Sequence, residues 1–280
     1  MKNVLIYANE GRDRGLCHSV RLAELLRAEG LSVFSPAEKE LPGASPLDRS
    51  EAALADLTVV LGGDGTVIRA AHWLEGLEVP LVGVNLGHLG YMTEISENES
   101  AEQLKRVLRG EFRVEKRMKL EAVLRWADGC EETLRAVNDF VLRRSDYSGA
   151  ISFSAEVNGV PLTDFRGDGL IVATPNGSTG YNLSAGGPIL NPAAENLILT
   201  PLCNHSITAR SFVLAGSDRV TLRVAPAEYQ DAPLFSCDSF EHRRIEQPCV
   251  ITLRKSADAF CLIRLGEESF FRVFEEKMGR

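Results

Sequence analysis

The chain has 280 residues, 44% of them hydrophobic and 25% charged, with a formal net charge of -8. This is the composition of a globular protein long enough to bury a core, as one large domain or two ordinary ones, and it excludes collagen, coiled coil and disorder. The acidic balance argues against a nucleic-acid binder, which needs Lys and Arg to release phosphate counterions, but leaves room for an anionic small molecule held by a few donors.

The first apolar run, Val4-Leu5-Ile6-Tyr7, is too short for a signal peptide, and no stretch approaches the roughly 20 apolar residues of a membrane span. The six cysteines (Cys17, Cys130, Cys203, Cys237, Cys249, Cys261) show no C-x-x-C spacing and are few for a disulfide framework. A cytoplasmic, reducing location with no membrane partner is expected. The five histidines (His18, His72, His88, His205, His242) are scattered without metal spacing, so no protein metal site is expected.

Val4 to Tyr7 reads as a buried strand. Leu16, Val20, Ala23 and Leu26 recur at helical spacing, with Gly30 as the stop. Leu31 to Phe34 and Thr58 to Leu61 read as strands, the latter ended by Gly62-Gly63-Asp64-Gly65. A helix is expected from Thr66 to Leu74, a strand from Val79 to Val84, and a helix from Ser100 to Leu108 before Gly110. Alternating strands and helices predict a mostly parallel sheet, whose ligands sit beyond the carboxyl ends of the strands. Asp64 is at such an end.

Beyond a boundary near Arg113 to Lys119 the period changes. Leu120, Ala122, Leu124 and Trp126 alternate, and Asp128-Gly129 is a hairpin signal. Val137 to Leu142 follows, then alternating Ile151, Phe153, Ala155 and Val157 before Asn158-Gly159. Further strand-like runs cover Leu170 to Ala173, Phe212 to Ala215, Val220 to Val224, Val250 to Leu253 and Phe260 to Leu265. Many short strands with turn signals predict a second, mainly antiparallel domain.

Three features carry chemistry. Gly62-Gly63-Asp64-Gly65-Thr66 lies between a strand and a helix start, where free N–H groups and the helix dipole favour phosphate. A carboxylate fixed there serves as a general base or metal holder; taken alone, the turn also fits a plain strand-to-helix connection with an Asp cap. Arg69 either faces the same ligand or lies on a solvated helix face. Asp168 to Pro188 runs from an apolar strand into a long loop of Gly, Ser, Thr and Asn, rich in small donors suited to phosphate or ribose, with Tyr181 placed to pack on a base. Asn138-Asp139, near the end of a strand-like run, offers an amide and a carboxylate for a base edge or hydroxyls, though the pair is also common in turns. No G-x-x-x-x-G-K-[ST], complete G-x-G-x-x-G or G-x-S-x-G motif is present.

Together these segments, with Val84-Asn85-Leu86-Gly87-His88-Leu89-Gly90-Tyr91-Met92-Thr93-Glu94, resemble the NAD kinase family in order and spacing over most of the chain. The Gly-Gly-Asp-Gly-Thr turn is shared with phosphofructokinases and lipid kinases; the Thr174 to Pro188 segment is far more specific. The resemblance implies an α/β N-terminal domain (phosphofructokinase-like, Rossmann-like, over residues 1–115, with 266–280 returning to it) and a mainly antiparallel β domain over 116–265. It implies a kinase that phosphorylates the adenosine 2′-hydroxyl of NAD to make NADP. The donor would be ATP, brought with Mg2+, or polyphosphate, and the assembly a homodimer or homotetramer.

Position by position, the resemblance makes Asp64 the catalytic carboxylate, Gly65 a dinucleotide contact and Arg69 a basic residue near the phosphates. Asn138 and Asp139 would grip adenosine, and Arg166 and Asp168 would reach the nicotinamide end. Asn176, Thr179, Gly180, Tyr181, Asn182, Leu183 and Ser184 would form the loop around adenine, ribose and amide groups. Three positions depart from the family: Gly180 where Ala is usual, Asp139 where Glu is common, and Ser239 where Gly usually follows Asp238. The competing readings are a lipid kinase of the diacylglycerol or sphingosine type, which needs an apolar acceptor site, and a non-catalytic nucleotide sensor, which has no use for Asp64.

Overall fold

The computed structural model describes all residues except 88–89, 146–148, 205–209, 226–231, 267–269 and 279–280. Contacts divide the chain into a unit of Met1–Lys116 with Phe260–Arg280, and a unit of Arg117–Ala259.

The first unit runs β1 (Asn3–Ala8), α1 (Cys17–Ala28), β2 (Ser32–Pro36), β3 (Ser45–Leu47), β4 (Leu57–Gly62), α2 (Asp64–Trp73), β5 (Leu81–Asn85), β6 (Ile95–Ser96) and α3 (Ser100–Leu108). Its strands lie in the order β5-β4-β1-β2-β3, all parallel, with β6 parallel to β5. β1, β4 and β5 are almost wholly buried, as a sheet covered on both faces requires. α1 buries Leu22, Ala23 and Leu26, and Asp13 seats its start by accepting the N–H groups of His18 (3.0 Å) and Ser19 (2.9 Å). Leu262 of the returning chain pairs in parallel with Leu81, and a helix, Phe270–Met278, follows. Because β2 and β4 flank β1, the strand order reverses between β1 and β4, the place where open α/β sheets bind ligands at their carboxyl ends.

The second unit continues with β7 (Arg113–Trp126, from Arg117 on), β8 (Glu131–Ala136), β9 (Asp139–Arg143), β10 (Ile151–Val157), β11 (Val160–Gly167), β12 (Gly169–Ala173), α4 (Tyr181–Ser184), β13 (Asn196–Leu202), β14 (Phe212–Ala215), β15 (Val220–Val224), β16 (Leu234–Cys237), β17 (Glu241–Arg244) and β18 (Cys249–Arg264, as far as Ala259). One antiparallel sheet has the order β14-β13-β12-β9-β16-β17. Another sets β10 between β11 and β15, and β15 against β18; β7 pairs with both β18 and β8. Even-numbered Phe140, Leu142, Leu170 and Val172 join Leu120, Leu222 and Ile251 in the core. Odd-numbered Val141, Ile171 and Ala173 face the other way, where Ala185 and Leu190 pack on them.

Several elements differ from the sequence expectation. Val250 to Leu253 and Phe260 to Leu265 are parts of one strand, β18; the polar run Arg254-Lys255-Ser256 between them masks its continuity. The helix after the glycine turn begins at Asp64 and ends at Trp73, so Gly63 is the cap residue and Asp64 stands in the first helical turn. Asn138 and Asp139 stand at the beginning of β9, not its end. Within the Asp168 to Pro188 loop, residues Asn176–Thr179 form a 3-10 turn and Tyr181–Ser184 a short helix.

Candidate active site

In the first unit, Asp64 leaves the carboxyl end of β4 beside the strand-order reversal. Its Oδ2 accepts the backbone N–H of Tyr91 at 2.8 Å, and its Oδ1 that of Met92 at 2.9 Å. Each carboxylate oxygen keeps lone-pair capacity for a further donor. Gly90 makes this bracket possible, because a Cβ there would stand 2.6 Å from Asp64 Cγ. The Tyr91 ring is itself packed, with Phe270 at 5.8 Å between centroids and Lys277 Nζ 4.1 Å from its centroid. Asn9, just beyond β1, donates from Nδ2 to Thr66 Oγ1 at 3.0 Å and so ties the neighbouring strand end to α2. Gly65 is exposed, and a Cβ on Gly63 or Gly65 would meet no atom within 4 Å. Arg69 is exposed on α2. His88 and Leu89 lie outside the described residues.

In the second unit, Asn138 and Asp139 are seated by Asp238. Its Oδ2 accepts the N–H of Val137 (2.7 Å), and its Oδ1 accepts those of Asn138 (2.7 Å) and Asp139 (2.9 Å). Burial, with the Asp238 charge added, pushes the Asp139 carboxyl up to about 7. Thr174 joins this strand start to the loop: its hydroxyl donates to Val137 O at 2.7 Å and accepts from Gly177 N at 3.0 Å. A Cβ on Gly177 would lie 2.9 Å from Asn138 Cα, so only glycine lets the loop pass. Asn176 Nδ2 then donates to Asn138 Oδ1 at 2.6 Å. Gly180 completes the group: a Cβ there would be 3.7 Å from Asn138 Nδ2 and 3.9 Å from Asp139 Oδ2.

The structure thus gathers Asn138, Asp139, Asn176 and Gly180 in the second unit, with Thr179 Oγ1 3.5 Å from Asn176 O. Tyr181 and Ser184 are exposed on α4 and Leu183 is half-buried. Asn182 is fully buried: its Nδ2 donates to Ser178 O (3.1 Å) and Pro188 O (3.0 Å), and its Oδ1 accepts from Thr200 Oγ1 (2.7 Å). Its amide holds the loop in shape. Arg166 is exposed on β11, and Asp168 pairs with Arg144 at 2.9 Å. The sequence reading missed Asn9, whose signal is its place directly after the first strand. It also missed the clamp made by Asp238, which is about 100 residues from the strand it holds and has no local signal.

The sequence matches the ATP-NAD kinase N-terminal domain family over residues 21–112 and the ATP-NAD kinase C-terminal domain family over residues 137–265. It is 34% identical to an NAD kinase of Lachnoclostridium phytofermentans, covering 100% of this chain and 99% of that protein. It is 37% identical to one of Citrifermentans bemidjiense, covering 99% and 98%. A yeast NADH kinase complexed with NADH superposes with a TM-score of 0.88 at 23% identity, covering 100% of this chain and 88% of that one. An Archaeoglobus fulgidus NAD kinase in complex with ATP gives 0.75 at 24% identity, covering 100% and 99%.

Proposed function

The chain belongs to the NAD kinase family, and from that premise we propose how its residues divide the work. It is a kinase that phosphorylates NAD. Neither a lipid kinase nor a silent sensor finds support among these relatives. In our reading the acceptor is the adenosine 2′-hydroxyl and the product NADP. Asp64 takes the hydroxyl proton as that oxygen bonds to the terminal phosphorus of ATP and the bond to the ADP oxygen breaks. ATP brings its own divalent ion, Mg2+, as part of the substrate, to offset charge on the phosphates.

Asn138 and Asp139 hold adenosine, with Asn176, Thr179, Gly180, Tyr181 and Ser184 around it. Leu183 lies with them, and Asn182 keeps that loop in shape. Arg69 faces the phosphates, and Arg166 and Asp168 reach toward the nicotinamide end. Polyphosphate is the second donor to test. Among the described residues no helix is long and apolar enough to cross a membrane. We place the enzyme in the cytoplasm as a homodimer or homotetramer.

The observation that carries the reading is the Asp64 carboxylate, fixed by two backbone N–H groups at the reversal of strand order. A positioned base contributes about 10²–10⁴-fold to such a transfer. Asp64→Asn is therefore expected to lower kcat by that factor with NAD, ATP and Mg2+, NADP being read by a coupled dehydrogenase. Full turnover by a folded Asp64→Asn protein removes Asp64 from the role.

A further inference from the structure

β7 carries an unusual face. Met118, Leu120 and Ala122 point into the core, as strand alternation requires, yet the intervening Arg117, Lys119 and Glu121 are buried as well. Lys119 is paired with Asp258 at 2.6 Å, and Glu121 with Arg254 at 2.6 Å and Arg135 at 3.2 Å. These are charge pairs that the interior demands. Arg117, only 2% exposed, also reaches toward the loop: its Nη1 donates to the side-chain oxygen of Asn176.

That contact fixes the orientation of two amides. A guanidinium has donors and no acceptor, so the Asn176 atom facing it is the oxygen. The Asn176 nitrogen is then turned to Asn138, 2.6 Å away, and the Asn138 atom that meets it is again the oxygen. Among the described residues Asn138 Nδ2 has no hydrogen-bond partner, and it lies on the half-buried surface beside Gly180. Both of its hydrogens are presented to a ligand. Reversing either amide would put two nitrogens, or two oxygens, face to face.

We propose that Arg117 is a positioning residue for NAD: through Asn176 it locks the Asn138 amide with its N–H₂ end toward the bound adenosine, so that the site presents a donor to an acceptor atom of the nucleoside. This rests on the reading above, in which Asn138 touches NAD. Arg117 itself touches no substrate. The guanidinium is permanently charged, so the setting of the amides does not change with pH.

The test uses the full chain and steady-state kinetics with NAD and ATP varied separately, each variant checked by a thermal melt. Asn138→Ala is expected to raise KM for NAD about tenfold, the factor for one good hydrogen bond. Arg117→Met is expected to raise it by a similar factor, with kcat and KM for ATP within about twofold, and Arg117→Lys to recover part of the loss. The double variant Arg117→Met with Asn138→Ala should be no worse than either alone, because both remove the same contact.

Asn176→Asp gives a second route that keeps the buried pair: a carboxylate still accepts from Arg117 but cannot donate to Asn138, and KM for NAD should again rise. Arg117→Met that leaves KM for NAD unchanged beside an impaired Asn138→Ala overturns the positioning role. So does a double variant whose losses multiply, or a loss confined to thermal stability. An unchanged Asn138→Ala overturns the contact with NAD first, and the inference with it.

Discussion

Asp238 Oδ1 accepts the backbone N–H of Asn138 at 2.7 Å, and the same carboxylate holds Val137 and Asp139. The start of β9 is therefore built by a residue on the turn after β16, about 100 positions later. Three N–H groups that a strand start would leave orphaned are satisfied by one charged acceptor. Asp238→Ala strands all three, with those of Val137 and Asp139 buried and that of Asn138 half-buried. With about 1–3 kcal/mol for each buried donor left unpaired, the expected loss is at least about 2 kcal/mol. Urea unfolding followed by circular dichroism measures it, and a shift below about 1 kcal/mol would show the clamp to be replaceable by water.

Ser239 is the departure that backbone geometry explains. Asp238 and Ser239 both have positive φ, +46° and +60°. A side chain in that region costs about 1–2 kcal/mol, and glycine adopts it freely at some entropic cost. Ser239→Gly is expected to raise stability by about 1 kcal/mol, read as a higher urea midpoint at unchanged slope. A lower midpoint would mean that the serine side chain contributes a contact that outweighs its backbone cost.

The centre of the parallel unit was legible because β1, β4 and β5 are apolar almost throughout and α1 and α3 stop just before a glycine, whereas β3 (Ser45-Pro46-Leu47) and β6 (Ile95-Ser96) are too short and polar to be read. Val4 to Tyr7 and Thr58 to Leu61 need no partner to be seen, and Ser100 to Leu108 is read to the residue. In the antiparallel unit β8 and β17 were not legible: Glu131-Glu132-Thr133 and Glu241-His242-Arg243-Arg244 are polar strands that register with a neighbour defines. β7 shows why periodicity stops short. Its second face is buried by ion pairs that only the fold assembles, so Arg117 reads as a solvated charge until Asn176 is beside it. The site's types were visible as Asp64, Asn138 and Asp139; what holds them, at Tyr91, Met92 and Asp238, is backbone and long-range geometry.

Gly90 and Asp64 make a pair in which one residue's missing side chain is the other's room. A Cβ on Gly90 falls 2.6 Å from Asp64 Cγ, a separation no packed atoms hold. Gly90→Ala must therefore push the carboxylate out, or lift the Tyr91 and Met92 donors away from it. The expected result is a kcat loss of at least about tenfold, smaller than or equal to that of Asp64→Asn, with the variant still folded. Wild-type turnover by Gly90→Ala would show that the bracketed position of Asp64 is not the reactive one.

Asp139 gives the chain a pH signature. Burial first, then the charge of Asp238, raise its carboxyl to about 7, whereas in an unfolded chain it titrates near about 3.9. Between those values the folded protein keeps a proton that the unfolded chain has released, so stability falls as pH rises through this window. The penalty is absent below about pH 4 and complete above about pH 7, and amounts to a few kcal/mol. Asp139→Asn has no such proton to lose. Its melting temperature is expected to vary less than wild type between about pH 5 and about pH 8, and to gain on wild type toward the alkaline end. Paired melts across that range decide it: two curves that stay parallel would mean that Asp139 stays ionised in the folded protein and that the Asp238 clamp, with its three backbone donors, accommodates a second charge beside it.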